Sequence, residues 1–373
     1  MHITVLCKVV DNYGDIGVCW RMCRRLKKIA PENTISLVVD NFDTFGKIEP
    51  RVKRQNVIAQ VCKANLVSSA TGATATWQSI QIEGIDIYNW HDDNNCHNIF
   101  SANDGERLSI ILECFQCGRP DWMEKILFEE KLQRTVQIIM IDYLTAEKYA
   151  EDFHCLKSLT RSAKVQKVNF MPGFTPKTGG LIIDDEWSQL PEWNENGPVL
   201  VFTYTMGVGL IKDSKGPLLE PLPFMPQPEW DKMMKNCSAF IIRGEESMSR
   251  ACLSGIPFIW QAYPQSEEYQ LVKVKALLER MREHFGEEEF EIVEKAWMCV
   301  NVDCHALRAR NDAGNSEITS LRGANAVSDA AIQTFLHTLP SLRPGFVSFA
   351  QSLQKNGDLC TNLMTFINKI AII

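Results

Sequence analysis

Residues 3–30 read ITVLCKVVDNYGDIGVCWRMCRRLKKIA. The opening run is almost continuously apolar, the pattern of a strand covered on both faces rather than on one. A polar loop carrying Asp11, Gly14, Asp15 and Gly17 follows. After it, apolar residues recur at helical spacing, with Val18, Met22 and Leu26 on one face and Arg24, Lys27 and Lys28 on another. A buried strand, a short loop and an amphipathic helix make the first half of a βαβ unit. The alternation continues outward. TISLVVD (34–40), IDIYNW (85–90), LSIILECF (108–115) and VQIIMIDYL (136–144) read as strands, while DWMEKILFEEKLQ (121–133) and TAEKYAEDF (145–153) read as helices.

MPGFTPKTGG (171–180) interrupts this pattern with proline, glycine and threonine. The alternation then restarts with PVLVFTY (198–204), SAFIIRG (238–244), EESMSRACLSG (245–255), PFIWQAY (257–263) and a helical stretch over 267–283. The reading is α/β with two Rossmann-like domains: residues 1–155, a linker over 156–180, and residues 181–343. The stretch 344–373 has helical spacing and no strand partner, so it is expected to cross back and complete the first domain with about 350–373.

The length of 373 residues fits two domains at roughly 150 residues each. With 45% hydrophobic and 23% charged residues, the chain has ample core and is neither disordered nor low-complexity. A formal net charge of −7 argues against a nucleic-acid binder. No run reaches the about 20 apolar residues of a membrane helix. No basic leader with a cleavage site precedes the first strand, so the expected location is the cytoplasm. The 13 cysteines are scattered and mostly flanked by apolar residues, which reads as buried thiols in a reducing compartment. Cys114 and Cys117 have CxxC spacing without a second such pair. HDDNNCHN (His91, Asp92, Asp93, Cys96, His97) is rich in metal ligands but reads first as a polar loop between strands.

In open α/β sheets, ligands sit where strand ends lead into helices. The first such loop lacks GxGxxG and offers Asp11 and Asp15 instead. These are either a general base with its partner, or one helix cap and one solvated carboxylate. The second loop presents Arg243, Gly244, Glu245, Glu246 and Ser247 at a helix start. That is a seat for phosphate oxygens, with Glu245 better suited to sugar hydroxyls, or else it is ordinary acidic capping. The third, LPFMPQPEWD, sets Phe224 three residues before Gln227, either a stacking face and an amide for a nucleobase or a connector that plugs the core. Base, diphosphate and sugar on one domain and carboxylates on the other are the layout of a two-domain glycosyltransferase closing on a nucleotide sugar.

CKVVDNYGDIGVCWR, MPGFTPKTGG, LPFMPQ, IIRGEESMSRA and GIPFIWQAYPQ, in this order, resemble the EarP family of bacterial protein-arginine rhamnosyltransferases that modify elongation factor P. The resemblance runs from the first strand to beyond Tyr263. It implies a GT-B fold, inverting chemistry, dTDP-β-L-rhamnose as donor, no metal or other cofactor, and an arginine of elongation factor P as acceptor. By the same resemblance Asp15 is the base, Asp11 its partner and Glu245 the third catalytic carboxylate. Arg243, Gly244, Glu246, Ser247, Phe224, Gln227, Tyr263, Tyr204 and Gly17 hold the donor. No membrane partner is implied, and the chain is expected to act as a monomer. Departures from the family pattern fall at Glu246, Met248 and around Tyr204. Other classes stay open on residues alone: a nucleotide-sugar epimerase, a module that binds elongation factor P without chemistry, or a metal hydrolase built on His91 and His97.

Overall fold

A computed structural model describes the chain except residues 11–12, 54–79, 93–108, 131, 133–134, 203–218, 222–224, 313–329 and 372–373. Its first lobe is built on β1 (His2–Cys7), α1 (Gly14–Ile29), β2 (Thr34–Val39), α2 (Phe42–Ile48), β3 (Ile80–Ile82), β4 (Ile85–Asn89) and β5 (Ser109–Cys114). Then come α3 (Asp121–Phe128), β6 (Val136–Ile141), α4 (Tyr149–Phe153), β7 (Lys157–Ser158) and β8 (Val165–Phe170). The sheet order is β3-β4-β2-β1-β5-β6-β8-β7, parallel throughout except at its two edge pairs. The order reverses between β1 and β5, the point at which such sheets bind ligands.

The apolar run of β1 is explained by cover on both sides. Val5 and Cys7 pack under α1, whereas Leu6 packs on the opposite face with Trp122, Met123 and Leu127 of α3. In α1, Ile16, Cys19, Trp20, Met22, Cys23 and Leu26 are buried, with Asp15 in the first turn and Lys27 and Lys28 in the last complementing the helix dipole. Burial pushes the Cys19 and Cys23 thiols well up, which makes them inert core residues.

The second lobe contains β9 (Val199–Phe202), β10 (Leu219–Pro221), α5 (Gln227–Met234), β11 (Ala239–Ile242), α6 (Glu245–Ser254), β12 (Phe258–Trp260), α7 (Tyr269–Arg282), α8 (Glu287–Asp312) and α9 (Leu339–Lys355). Its sheet runs β10-β9-β11-β12, all parallel, and Phe202, Ile242 and Trp260 stand in register at the carboxyl end. Gly255 ends α6 at φ 64°, a left-handed cap that a side chain would strain.

One boundary differs from the sequence reading. Residues 156–180 are not simply a linker, because β7 and β8 lie within them and extend the first sheet. The alternating polar positions of VQKVNF hid an edge-proximal strand from a reading tuned to continuous apolar runs. The crossing into the second lobe comes after Gly180. The return crossing lies between α9, which packs in the second-lobe core, and α10 (Leu359–Ala371), which packs on α1 in the first. The two crossings are tied together at Asp358. Its carboxylate accepts from the Ile183 amide at 2.8 Å, the Thr361 amide at 3.0 Å and Arg25 Nε at 3.0 Å.

Among the described residues no helix is long and apolar enough to cross a membrane, and no three His, Cys, Asp or Glu side chains are grouped to hold a metal ion. Because α10 buries Leu363 and Ile367 completely against the first lobe, Ile367→Ala is expected to lower stability by about 2–5 kcal/mol. Urea unfolding measures this.

Candidate functional site

A cavity of ≈ 560 Å³ lies where the carboxyl ends of the two sheets meet. From the first lobe it is lined by the start of α1 and by the segments that follow β5 and β6. From the second it is lined by Phe202, Gln227, the start of α6 and the segment after β12. Of the residues singled out by sequence, Asp15, Gly17, Gln227, Arg243, Gly244, Glu245, Glu246, Ser247 and Tyr263 all line it. Asp11, Phe224 and Tyr204 lie outside the described residues, as do Asp93, Cys96 and His97 of the ligand-rich loop. His91 is exposed. In the CxxC pair, Cys114 is buried and Cys117 half-buried, its thiol donating to the Gly118 carbonyl at 3.3 Å.

Asp15 is only 2% exposed, and its Oδ2 accepts from the Val10 amide at 2.9 Å. It therefore braces the strand-to-helix loop from inside the cavity wall rather than standing in solvent. The helix cap falls to Tyr13, whose side chain makes no capping bond. Opposite, α6 begins at extended Gly244 without a side-chain cap, and its first turn, Glu245 to Ser247, points the positive end of the helix dipole at the cavity. Arg243 is 7% exposed, with its guanidinium 4.5 Å over the Tyr263 ring, and its carbonyl accepts from Trp260 Nε1 at 2.9 Å. Glu245 pairs with Lys273 at 3.2 Å.

Gln227 and Glu246 do more than face the cavity. Gln227 Nε2 donates to the Gly17 carbonyl at 2.7 Å, bridging the lobes, while its buried Oε1 has no partner among the described residues. A Cβ on Gly17 would meet that amide nitrogen at 3.4 Å, so the glycine permits the close approach of α1 to the second lobe. Glu246 Oε1 accepts from Arg21 Nε at 2.5 Å, which places this carboxylate in a buried ion network.

Arg21 is the residue sequence reading missed. It is 1% exposed and meets Glu246 of α6, Asp184 of the interlobe crossing at 2.5 Å, and Asp231 of α5 through a two-pronged contact at 2.9 and 3.0 Å. Arg250, also 1% exposed, stands 3.5 Å from Glu246 and 3.6 Å from Asp184 and donates to the Ile182 carbonyl. Burial alone would depress the Arg21 pKa, but its carboxylate partners raise it well above the ordinary value. Likewise burial pushes the Asp184 carboxyl up, and the Arg21 and Arg250 charges outweigh it and hold it below its usual value. The available signal was Gly17 four residues before Arg21, a bare patch and a cation on one helix stripe. Two further side chains were also missed. Asn301, 1% exposed, accepts from the Ala262 amide and donates to the Trp260 carbonyl, both at 2.8 Å, fixing the loop that carries Tyr263. Trp230 lines the cavity with a buried Nε1 that has no partner among the described residues.

Two Rossmann-like lobes meet at their strand ends, with a carboxylate on one wall and a helix start with an arginine on the other, the two-lobed layout of the GT-B fold class. The chain belongs to the EarP family, described as elongation factor P (EF-P) rhamnosyltransferase, which matches residues 3–212 and 201–368. It is 26% identical over 347 residues to a protein-arginine rhamnosyltransferase of Shewanella oneidensis, covering 74% of this chain and 80% of that one. A protein of the same description from Pseudomonas aeruginosa is 27% identical over 337 residues, with 74% and 80% covered. A solved structure concerned with EarP-mediated arginine glycosylation of translation elongation factor EF-P aligns at TM-score 0.40 and 15% identity, covering 99% of both chains.

Arg21→Ala leaves its buried carboxylate partners short of a counter-charge, so it is expected to cost about 3–5 kcal/mol, measured by denaturant unfolding. The Asp184 contribution is present above about pH 4, the ordinary aspartate range, and is lost as pH falls through its depressed native pKa. Asp184→Asn should therefore flatten the acid limb of a stability-versus-pH curve.

Proposed function

We propose that the enzyme transfers L-rhamnose from dTDP-β-L-rhamnose to an arginine side chain of elongation factor P, with inversion and without a metal ion. The carrying observation is that Asp15, from the first lobe, lines the same cavity as Arg243, Glu245 and Ser247, from the second. A guanidinium is a poor nucleophile because it stays protonated throughout the physiological pH range. A buried carboxylate that accepts its N–H groups concentrates electron density on one nitrogen and takes a proton as the N–C1 bond forms. In this reading Asp15 is that base. The bond from C1 to the diphosphate oxygen breaks on the opposite face, which inverts the anomeric centre. The departing charge is met by Arg243, by Ser247 and by the first-turn amides of α6, groups that do for the diphosphate what a cation does elsewhere. Glu245, steadied by Lys273, accepts from the sugar hydroxyls.

Donor choice follows from the second lobe. Gln227 commits its two Nε2 hydrogens to the Gly17 carbonyl and the Glu246 carboxylate, so the Oε1 acceptor remains for a ligand. A pyrimidine with an N3–H donor, such as thymine, satisfies it, and Trp230 Nε1 offers a donor to a base carbonyl. Phe224 supplies the stacking face by family resemblance.

Incubation with elongation factor P and dTDP-β-L-rhamnose is expected to add one deoxyhexose to a single arginine by mass spectrometry, undiminished by chelator. Asp15→Asn is expected to lower turnover by about 10²–10⁴-fold with donor affinity unchanged. Near-normal turnover of that variant would remove Asp15 as the base.

A further inference from the structure

The first-lobe wall holds a feature that the transfer chemistry does not use. After β5 ends at Cys114, Phe115 and Gln116 both adopt left-handed backbone, at φ 56° and 54°. Neither is glycine, and each such residue costs roughly 1–2 kcal/mol. Strain of this kind persists only where surrounding structure imposes it, and it concentrates at ligand sites. Here the restraints are visible. The Phe115 amide donates to the Ile141 carbonyl at 2.7 Å. Gln116 Nε2 donates to Asp142 Oδ2 at 3.2 Å, and Asp142 Oδ1 accepts from the Tyr143 amide at 2.8 Å. The turn sets the Phe115 ring on the Tyr143 ring, with centroids 4.5 Å apart and planes 21° from parallel.

Phe115, Asp142 and Tyr143 line the cavity beside the reversal point of the first sheet. They share that cavity with Arg243, Glu245 and Ser247 of the second lobe. The cavity is divided by charge. Outside the buried ion network, its first-lobe wall carries Asp15 and Asp142, and its second-lobe wall carries Arg243 and the Lys273–Glu245 ion pair beside the α6 N-terminus, a net positive charge. An anionic diphosphate belongs on the second wall and a cation on the first.

We propose that the stacked Phe115–Tyr143 pair with Asp142 is the subsite that receives the acceptor arginine side chain. This rests on the reading that a protein arginine is the acceptor. The aromatic faces take the methylene arm and the flat guanidinium, for which stacking and cation–π attraction favour arginine over lysine. Asp142 draws the outer edge of the cation and leaves one terminal nitrogen directed to Asp15.

The test is a double-mutant cycle with the full-length chain, in which elongation factor P carries either its acceptor arginine or alanine there. Tyr143→Ala is expected to raise the KM for the factor about tenfold, with the calorimetric Kd for dTDP-β-L-rhamnose unchanged, while Tyr143→Phe stays near wild type. Binding of the alanine-substituted factor should be the same for wild type and Tyr143→Ala. An unchanged KM, or an equal loss of binding with the alanine-substituted factor, overturns the subsite. Should Tyr143→Ala fail to fold, Asp142→Asn is read the same way, with a rise in KM expected and an unchanged KM overturning it. Absence of transfer by the wild-type enzyme would instead remove the acceptor assignment itself, which these variants do not address.

Discussion

The buried cation at Arg21 is the constraint from which the arrangement of the site follows. Its guanidinium leaves α1 of the first lobe and is held by carboxylates from the interlobe crossing, α5 and α6. A guanidinium with 1% exposure is tolerable only while its counter-charges stay in place, because the desolvation cost of an isolated buried ion is several kcal/mol. The lobes are therefore not independent bodies that happen to touch. Separating them would strand a charge on each side. Arg21 lies six residues after Asp15 on one helix, and Glu246 lies one residue after Glu245 on another. The network consequently sets the register between the carboxylate of one wall and the helix start of the other, and Gln227 pins the same two elements at Gly17.

With that register fixed, the chemistry of the cleft is a matter of what each strand end delivers. Parallel sheets place their strand ends, and hence their loops, on one edge, and here the two edges face each other. The second lobe gathers an arginine braced on a tyrosine, a helix N-terminus and a hydroxyl. The first gathers carboxylates and stacked rings. The unlike character of the two walls is thus built from the fold.

Much of this was legible in the chain. The continuous apolar character of ITVLCKVV announced a strand covered twice, and the packing of Leu6 away from Val5 and Cys7 is the physical content of that signal. The Arg243–Ser247 loop was readable as a helix start at a strand end, and the structure places it on the cavity wall. VQKVNF was not readable as part of the sheet, since a strand near the edge keeps polar residues where it lacks cover. Phe115 and Gln116 gave no sign either, because non-glycine residues in left-handed backbone are imposed by neighbours and leave no mark on composition.

Sequence by itself determined the alternation of strands and helices, the two lobes, the return of the C-terminal helix and the chemical identity of the loops. These depend on the local periodicity of apolar burial and on turn residues, which are properties of adjacent positions. Only the tertiary structure decided that Arg21 is buried rather than part of the basic face of α1, that Gln227 reaches Gly17 with one end and the cavity with the other, and that Phe115 meets Tyr143. Each of these joins residues far apart in the chain, and a side chain's charge or amide carries no record of the partner that will neutralise it until the fold brings the two together.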